Sequence, residues 1–235
     1  MGFGYYYGID MTYIVLVLPA VIFAFIMQAR VSSTFSKYSA YSNLRGITGA
    51  EVAKKMLLEA GITDIRVERT KGNLTDHFDP KNKVIRLSDA VHDSTSVAAA
   101  GVAAHECGHA IQYFEEYAPI KLRNAIIPVC RIGSVLSMPL VLLGFLFSAQ
   151  PLVNIGIIFF ALATLFQLIT LPVEFNASRR ALVTLEESNI LYGDENQAAK
   201  KVLSAAAMTY VAALAVSLMQ LLRLVLIFGG RGRRN

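Results

Sequence analysis

The most prominent pattern in the chain is a set of three long runs of uncharged, mostly apolar residues. They extend over residues 11–29, 132–173 and 202–222. A helix needs about 20 predominantly apolar residues to cross a bilayer, so the first run predicts one transmembrane helix. The second run is long enough for two crossings and is interrupted at Ser148–Pro151, which predicts a helical hairpin.

The third run leaves two interpretations open. It is rich in Ala and is followed by basic residues, which are Arg223, Arg231, Arg233 and Arg234. A crossing at residues 202–222 would place this basic tail outside the cell, against the preference of Lys and Arg for the cytoplasmic side. A helix lying in the membrane interface would keep the tail inside. The sequence therefore predicts three or four transmembrane helices.

The positions of the charged residues predict the orientation of these helices. One acid, Asp10, and no base precede the first run, whereas Arg30 and Lys37 follow it. Basic residues also flank both ends of the hairpin, and its tip has no charge. Because Lys and Arg concentrate in cytoplasmic loops, we expect a multi-pass protein of the cell membrane with its N-terminus outside. Residues 31–131 and 174–201 are then cytoplasmic.

Patterns typical of soluble domains follow the first run. Thr48 and Glu51 form a capping-box motif at the start of a predicted helix that ends at Gly61. Alternating residues at 65–68 and the segment 83–88 predict two strands of a small antiparallel sheet. We therefore expect a small α+β region beside the membrane helices.

The motif His-Glu-Cys-Gly-His at residues 105–109 carries the clearest chemical signal. It lies in an Ala-rich helix that is predicted to begin near residues 94–96. His105 and His109 are four residues apart, so their rings lie on one face of the helix and can converge on a metal ion. Glu106 lies beside the pair, where its carboxylate can reach a metal-bound water as a general base without being a ligand.

The two histidines need a further ligand, because a catalytic zinc ion normally has three protein ligands and an open position for water. Glu174 follows the hairpin, where the chain returns from apolar surroundings, and it is the predicted third ligand. An ion pair with the Arg residues that follow it is the alternative explanation of this acid. Glu115 and Glu116 are weaker candidates, because their carboxylates point away from the face that carries His109.

Composition narrows the class of protein. Hydrophobic residues make up 54% of the chain and charged residues 17%, whereas an average soluble domain has about 25% charged residues. The membrane flanks explain the net charge of +5, and no basic stripe with interleaved aromatic residues indicates nucleic-acid binding. The chain has two Cys, which exclude a disulfide scaffold and suit a reducing compartment. Cys107, on another side of the motif helix, is interpreted as a small buried residue.

Three segments carry a family resemblance. They are Leu74–Pro80, Ala103–Gln112, which contains both histidines, and Glu174–Ala181. Together they resemble the YugP-type neutral zinc metallopeptidases, a family of bacterial membrane proteins, over nearly the whole chain. The resemblance implies one Zn²⁺ per chain and the hydrolysis of peptide bonds.

A more distant similarity is to the HtpX-type membrane metalloproteases, which also place a membrane hairpin between a two-histidine helix and a ligand Glu. It implies a mainly α membrane protein with a small gluzincin-like α+β domain, made of a short antiparallel sheet and an active-site helix. These proteases have Asp at the position of Ser178, where it would support a ligand histidine. Ser178 is then expected to give weaker support, or a different residue supplies it. His77, His92 and Tyr210 are further candidates for contacts to the site or to the transition state.

Five segments make up the predicted organisation. They are an N-terminal transmembrane anchor (1–30), a cytoplasmic metallopeptidase region with the zinc-binding helix (31–131), a transmembrane hairpin (132–173), a third-ligand helix (174–201), and a C-terminal helix with a basic tail that spans or lies on the membrane (202–235).

The expected function is that of an integral membrane zinc metalloendopeptidase that cleaves membrane or membrane-proximal proteins. His105, His109 and Glu174 would hold the zinc ion, and Glu106 would be the general base. We expect the strand at 83–88 to offer its edge to an extended peptide. Two alternatives stay open, namely a site-2-type intramembrane protease and a non-catalytic zinc-dependent membrane scaffold or transporter. The oligomeric state is also left open.

Overall fold

The computed structural model describes residues 10–229, and most of them are helical. A short π-helix, Tyr13–Val17, leads into the first α-helix. The α-helices are α1 (Leu18–Ser39), α2 (Gly49–Glu59), α3 (Asp89–His92), α4 (Val97–Phe114), α5 (Ala118–Leu146), α6 (Gln150–Glu187) and α7 (Asp194–Phe228). The strands are β1 (Arg66–Thr70), β2 (His77–Asp79) and β3 (Val84–Ser88).

The chain divides into two compact units. The first unit comprises the described parts of residues 1–27, 122–171 and 209–235. The second unit comprises residues 28–121 and 172–208. Residues 1–9 and the basic residues after Gly229, which entered the prediction of orientation, lie outside the described residues.

Four helices of the described chain are long and apolar enough to cross a membrane. They are the helical segment Tyr13–Ser39 and the helices α5, α6 and α7. The two arms of the predicted hairpin correspond to α5 and α6, which are separated by residues 147–149. The third apolar run lies within α7, so length and composition make it the fourth candidate span, where the sequence left three or four open.

The large apolar side chains of the first unit are mostly exposed, as membrane helices require. Phe25, Val135 and Leu168 are examples. Such helices associate through close packing of small residues rather than through burial from water. At Gly156 a Cβ atom would lie 2.8 Å from the backbone oxygen of Ser137, so only glycine allows α5 and α6 to approach this closely.

The sheet of the second unit is mixed, and the predicted antiparallel sheet is wrong. Its order is β1-β3-β2, with β3 in the centre. β1 is parallel to β3, where Arg66 faces Val84, and β2 is antiparallel to β3, where Phe78 faces Ile85. The reason is β2, a strand of three residues that runs opposite to β1. The chain turns back after β2, so β3 has the same direction as β1. Because the sequence pattern did not indicate β2, the two longer strands were expected to pair directly.

The expectation that β3 offers a free edge to a peptide is also wrong. Both of its edges are hydrogen-bonded, one to β1 and the other to β2. β3 is consequently buried, with Val84, Ile85 and Leu87 fully inaccessible to solvent. The edges that remain available for another strand belong to β1 and β2.

The core of the second unit lies among α2, α4 and β3. α2 begins at the predicted capping box, where the Oγ1 of Thr48 accepts from the amide of Glu51, and the Glu51 carboxylate accepts from the amide of Thr48 at 2.7 Å. α4 begins at Ser96, whose Oγ accepts from the amide of Ala99 at 3.1 Å. The small side chains of α4 allow it to be buried on most sides. The histidine motif therefore lies inside this unit rather than on its surface.

Candidate metal centre

Two helices of the second unit bring three candidate ligands together. His105 and His109 are one turn apart on α4, and Glu174 lies on α6. The Nε2 atom of His105 is 3.3 Å from the Oε2 atom of Glu174, and the Nε2 atom of His109 is 3.5 Å from the same oxygen. One ligand atom from each residue lies within 4.8 Å of the others. The structure thus joins residues that are far apart in the sequence.

These distances fit a zinc ion. Zinc binds His nitrogen and carboxylate oxygen at about 2.0–2.1 Å in tetrahedral geometry, which places neighbouring ligand atoms about 3.3 Å apart. The two measured separations from Glu174 are close to that value. Imidazole and carboxylate are also the donors that catalytic zinc sites use. The group therefore has the chemistry and the spacing of a three-ligand zinc site.

Gln112 supports the ring of His109. Its Oε1 atom lies 3.1 Å from Nδ1 of His109, while its Nε2 atom donates to the backbone oxygen of Val173 at 2.8 Å and to Oδ1 of Asn176 at 2.9 Å. Because both amide hydrogens are used, the amide oxygen must face the ring and accept the Nδ1 proton. The Nε2 lone pair of His109 then points toward Glu174 and is available to a metal.

Ser178 supports the ring of His105. Its Oγ atom lies 3.2 Å from Nδ1 of that ring. The family resemblance had left open whether Ser178 or a different residue gives this support. A hydroxyl can accept the Nδ1 proton and so leave Nε2 free, as Gln112 does for His109. A hydroxyl is neutral, so it polarises the ring less than the Asp of the HtpX-type proteases would.

The two weaker ligand candidates lie elsewhere. The carboxylate of Glu115 is 2.6 Å from an Nη atom of Arg180, whose Nε atom also donates to Asn176 at 2.8 Å. Glu116 is 2.8 Å from the ammonium group of Lys121, and its side chain is 73% exposed. Glu115 therefore belongs to a polar chain that leads through Asn176 to Gln112, and Glu116 lies on the surface.

The remaining motif positions allow α4 and α6 to meet. A Cβ atom at Gly108 would lie 2.6 Å from the backbone oxygen of Ala177, so a larger residue would push Glu174 away from the histidines. Cys107 faces the opposite side, where its thiol is 3.5 Å from the backbone oxygen of Ala53. Burial raises the pKa of the Cys107 thiol, which disfavours the thiolate that a metal would need.

Glu106 lies beside the candidate ligands and forms no hydrogen bond or ion pair with them. Its side chain is buried, and within residues 10–229 its carboxylate makes no hydrogen bond or ion pair. Burial lowers the pKa of His109, but the hydrogen bond with Glu174 and the negative charge of Glu106 outweigh it, so this pKa lies above its usual value. Two carboxylates therefore surround the rings with negative charge, which favours a cation between them.

The other predicted contacts have different surroundings. The ring of His77 bonds to the backbone oxygen of Thr75 at 2.8 Å, and the ring of His92 bonds to Asp93 at 2.5 Å. Both histidines therefore make their contacts near the sheet rather than with the three ligands. Tyr210 lies on α7 in the first unit, and its role stays a prediction.

Gln112 and Asn176 were missed by sequence reasoning. Gln112 is fully buried, which is uncommon for this residue type, and it lies three residues after His109 on the same helix face. That spacing was the available signal. Asn176 gave none for its contact with Gln112, because the two residues are on different helices.

Comparison with known proteins identifies the family of this chain. A family model described as "Putative neutral zinc metallopeptidase" matches residues 13–229. The chain belongs to this family. It is also 46% identical over 218 residues to the "Putative membrane protease YugP" of Bacillus subtilis (strain 168), covering 93% of this chain and 97% of that relative. No solved structure matches the chain.

Membership confirms the resemblance found in the sequence and defines the class of protein. The family is named for zinc, and His105, His109 and Glu174 form a possible site for it. The relative is described as a membrane protease, and the described chain has four apolar helices, so this is a multi-pass membrane protein.

Proposed function

We propose that the protein is a zinc-dependent membrane metalloendopeptidase of the gluzincin kind. The observation that carries the proposal is the convergence of His105 and His109 on Glu174, with the Nδ1 atom of each ring bonded to a polar side chain. Both Nε2 atoms are thereby directed at one point. Glu106, a buried carboxylate that makes no hydrogen bond or ion pair within residues 10–229, lies on the same helix beside that point.

The reaction divides between the ion and the chain. One bound Zn²⁺ would polarise the scissile carbonyl and lower the pKa of the attacking water. Glu106 accepts the proton of that water and later donates it to the leaving amine. Gln112 and Ser178 hold the ligand rings in the tautomer that leaves Nε2 unprotonated.

We assign the binding of an extended substrate to the free edge of β2. β2 is an edge strand of the sheet, and α4, which carries the histidine motif, packs against it. The rings of Phe78 and Tyr113 make this contact, with centroids 5.8 Å apart. A peptide added to β2 would satisfy the free backbone groups of that edge. Its substrates would be membrane or membrane-proximal proteins, because a membrane-tethered site meets those at high effective concentration.

A peptidase acting outside the hydrocarbon layer is favoured over a site-2-type intramembrane protease. α4 is absent from the four candidate membrane helices of the described chain, and it is packed in a unit with a small sheet. A scaffold or transporter that only binds zinc would not need a carboxylate at Glu106. A measurement of peptide cleavage distinguishes such a non-catalytic protein from the proposed metallopeptidase.

Contacts within the first unit support a fourth crossing by α7. The Nε atom of Arg223 is 3.0 Å from Asp10, which precedes the first apolar run. The amide of Gln150, at the hairpin tip, donates to the backbone oxygen of Phe228 at 3.3 Å. The start of the first helix, the hairpin tip and the end of α7 thus share one end of this unit. We assign that end to the outside and the metal centre to the cytoplasm, because no basic residue precedes the first helix or lies in the hairpin tip. The Arg residues at the end of α7 and after it are an exception to this rule.

Cleavage by the purified protein tests the proposed activity. The wild-type protein in detergent should contain one equivalent of zinc and hydrolyse casein, and removal of zinc with a chelator should abolish hydrolysis. Glu106→Gln should keep the zinc and lower kcat about 10²–10⁴-fold, because only the proton acceptor is lost. Glu116→Gln is the matched control and should behave as wild type. Hydrolysis by Glu106→Gln at the wild-type rate would contradict the mechanism.

Cysteine labelling of intact cells tests the orientation. The native Cys107 and Cys130 are buried, so an introduced Cys can be read against a low background. Ser148→Cys at the hairpin tip should react with an impermeant maleimide, and Ser42→Cys should react only after permeabilisation. The reverse pattern would place the metal centre outside the cell.

A further inference from the structure

A second concave site, distinct from the metal centre, lies between α1 and α7 in the second unit. Its volume is about 590 Å³. We call it the basic cavity, because its lining includes Arg30, Lys37, Lys200 and Lys201, together with the hydroxyls of Thr34 and Ser204. Arg30 and Lys37 come from α1, and the two lysines come from the first turns of α7. Four positively charged residues therefore line one open concave surface.

No acidic side chain of the described residues neutralises the positive charge of the basic cavity. The lining contains no Asp or Glu. Within residues 10–229 none of the four basic side chains makes an ion pair, although Lys37 lies over the ring of Tyr38 at 5.5 Å. Glu195, an acid near the start of α7, accepts instead from the amide of Leu44 at 2.7 Å. Like charges that line a concave surface repel one another and focus a field that attracts an anion.

The polar lining of the basic cavity suits phosphate. Guanidinium and ammonium groups make charge-assisted hydrogen bonds with phosphate oxygens, and hydroxyls can donate to oxygens that remain. Thr34 and Ser204 supply such hydroxyls from the two sides of the cavity. The lining thus offers several donors and a net positive charge to a compact anion.

The position of the basic cavity next to the apolar runs indicates which kind of molecule carries the phosphate. Arg30 directly follows the first apolar run, and Lys200 and Lys201 directly precede the third. Both runs lie in candidate membrane helices. Basic residues at such a boundary lie at the level of the lipid headgroups, where anionic lipids attract them.

We propose that the basic cavity binds the headgroup of an anionic phospholipid. The four cations would neutralise the lipid phosphate and any further negative charge of the headgroup. The acyl chains would extend from the headgroup into the bilayer. This site is independent of peptide hydrolysis, so it can be tested on protein that lacks activity.

Lipid retention by the purified protein tests the proposal. Protein would be extracted into a mild detergent, incubated with equal amounts of phosphatidylglycerol and phosphatidylcholine, and weighed with its bound lipid by native mass spectrometry. We expect phosphatidylglycerol to be retained in preference. Arg30→Gln/Lys200→Gln should weaken that binding about 30-fold, since each basic residue near an anionic surface contributes about 1 kcal/mol.

Three comparisons make the result decisive. Lys54→Gln/Lys81→Gln removes the same charge from the same unit outside the cavity and should bind as wild type. Arg30→Lys/Lys200→Arg keeps the charge and should retain the preference, which separates lost charge from misfolding. Soluble glycerol phosphate should compete weakly, because it lacks the acyl chains. Equal retention of both lipids, wild-type binding by the charge-removing variant, or full competition by glycerol phosphate would each overturn the lipid assignment.

Discussion

Large apolar side chains face outward in the first unit, whereas those in the second unit form a buried core. In the first unit Phe25 and Leu168 are 72% and 52% exposed, whereas in the second unit Leu87 and Leu185 are fully buried. Leu168 and Leu185 belong to the same helix, α6, so the change occurs along one element. The environment that each unit is built for explains the difference. Lipid tails solvate an exposed Leu as well as a protein core does, whereas water does not.

Polar residues differ between the units in the same sense. In the first unit the ion pair of Asp10 with Arg223 lies at an end, and buried hydroxyls such as those of Ser137 and Thr164 donate to backbone oxygens of their own helices. In the second unit a buried set that includes Gln112 and Glu174 lies inside. Buried polar groups are stable only when they are paired or bind an ion. We therefore expect the second unit to depend on a metal ion bound at this candidate site, while the first depends on helix packing.

Removal of the Glu174 side chain should have the largest effect on zinc binding and on the stability that zinc gives to the second unit. Glu174→Ala leaves two histidines, so zinc binding should weaken by more than the 10–100-fold typical of a lost supporting residue. Wild-type protein should gain thermal stability on zinc addition, by about 2.7 kcal/mol when free zinc is 100 times Kd. The variant should show no such gain in a thermal unfolding assay.

Glu116→Ala is the control for that experiment, because Glu116 is an exposed acid of the same unit. It should bind a full equivalent of zinc and show the wild-type gain. If Glu174→Ala also binds a full equivalent, the third ligand is misassigned and the second unit does not depend on this site.

A matched pair on α6 tests the contrast between the apolar surfaces. Leu185→Ala removes a side chain from the core of the second unit and should cost about 2–5 kcal/mol of stability. Leu168→Ala should cost less than about 1 kcal/mol, because its side chain is surrounded by detergent or lipid rather than by protein. Thermal unfolding of both variants in the same micelles measures the difference. Equal losses would mean that Leu168 is covered by protein in the folded molecule.

Local signals explain why much of the fold could be predicted. The capping box at Thr48, the start of α4 at Ser96 and the break at Ser148 each depend on a few neighbouring residues. β2 could not be found in this way. A strand of three residues is too short to show an alternating pattern. It is defined by its hairpin pairing with β3 across residues 80–83, and that hairpin also makes the β1–β3 pair parallel.

The candidate site was predictable to the same extent. His105, Glu106 and His109 lie within one helix turn, so helix geometry alone brings them together. The position of Glu174 required the assumption that the site needs a third ligand. A series of side-chain contacts leads from Gln112 through Asn176 and Arg180 to Glu115 and connects α4 with α6. No periodicity of the sequence indicates such contacts.

The supports of the two ligand histidines should give the smallest effects, and unequal ones. Gln112→Met leaves the Nδ1 proton of His109 and the backbone oxygen of Val173 without their partner in a fully buried place. Loss of such a supporting residue typically weakens zinc binding about 10–100-fold. Competition with a chromophoric chelator measures the change.

Ser178→Ala should weaken zinc binding only about fivefold, since it removes one neutral hydrogen bond with a net value of about 1 kcal/mol. Ser178 is partly exposed and lines an open cavity, so water can replace its hydroxyl beside His105, whereas Gln112 is fully buried. Ser178→Asp should bind zinc more tightly than wild type, because a carboxylate increases the electron density of the His105 ring. A larger loss for Ser178→Ala than for Gln112→Met would mean that His105, rather than His109, is the ligand whose orientation determines the site.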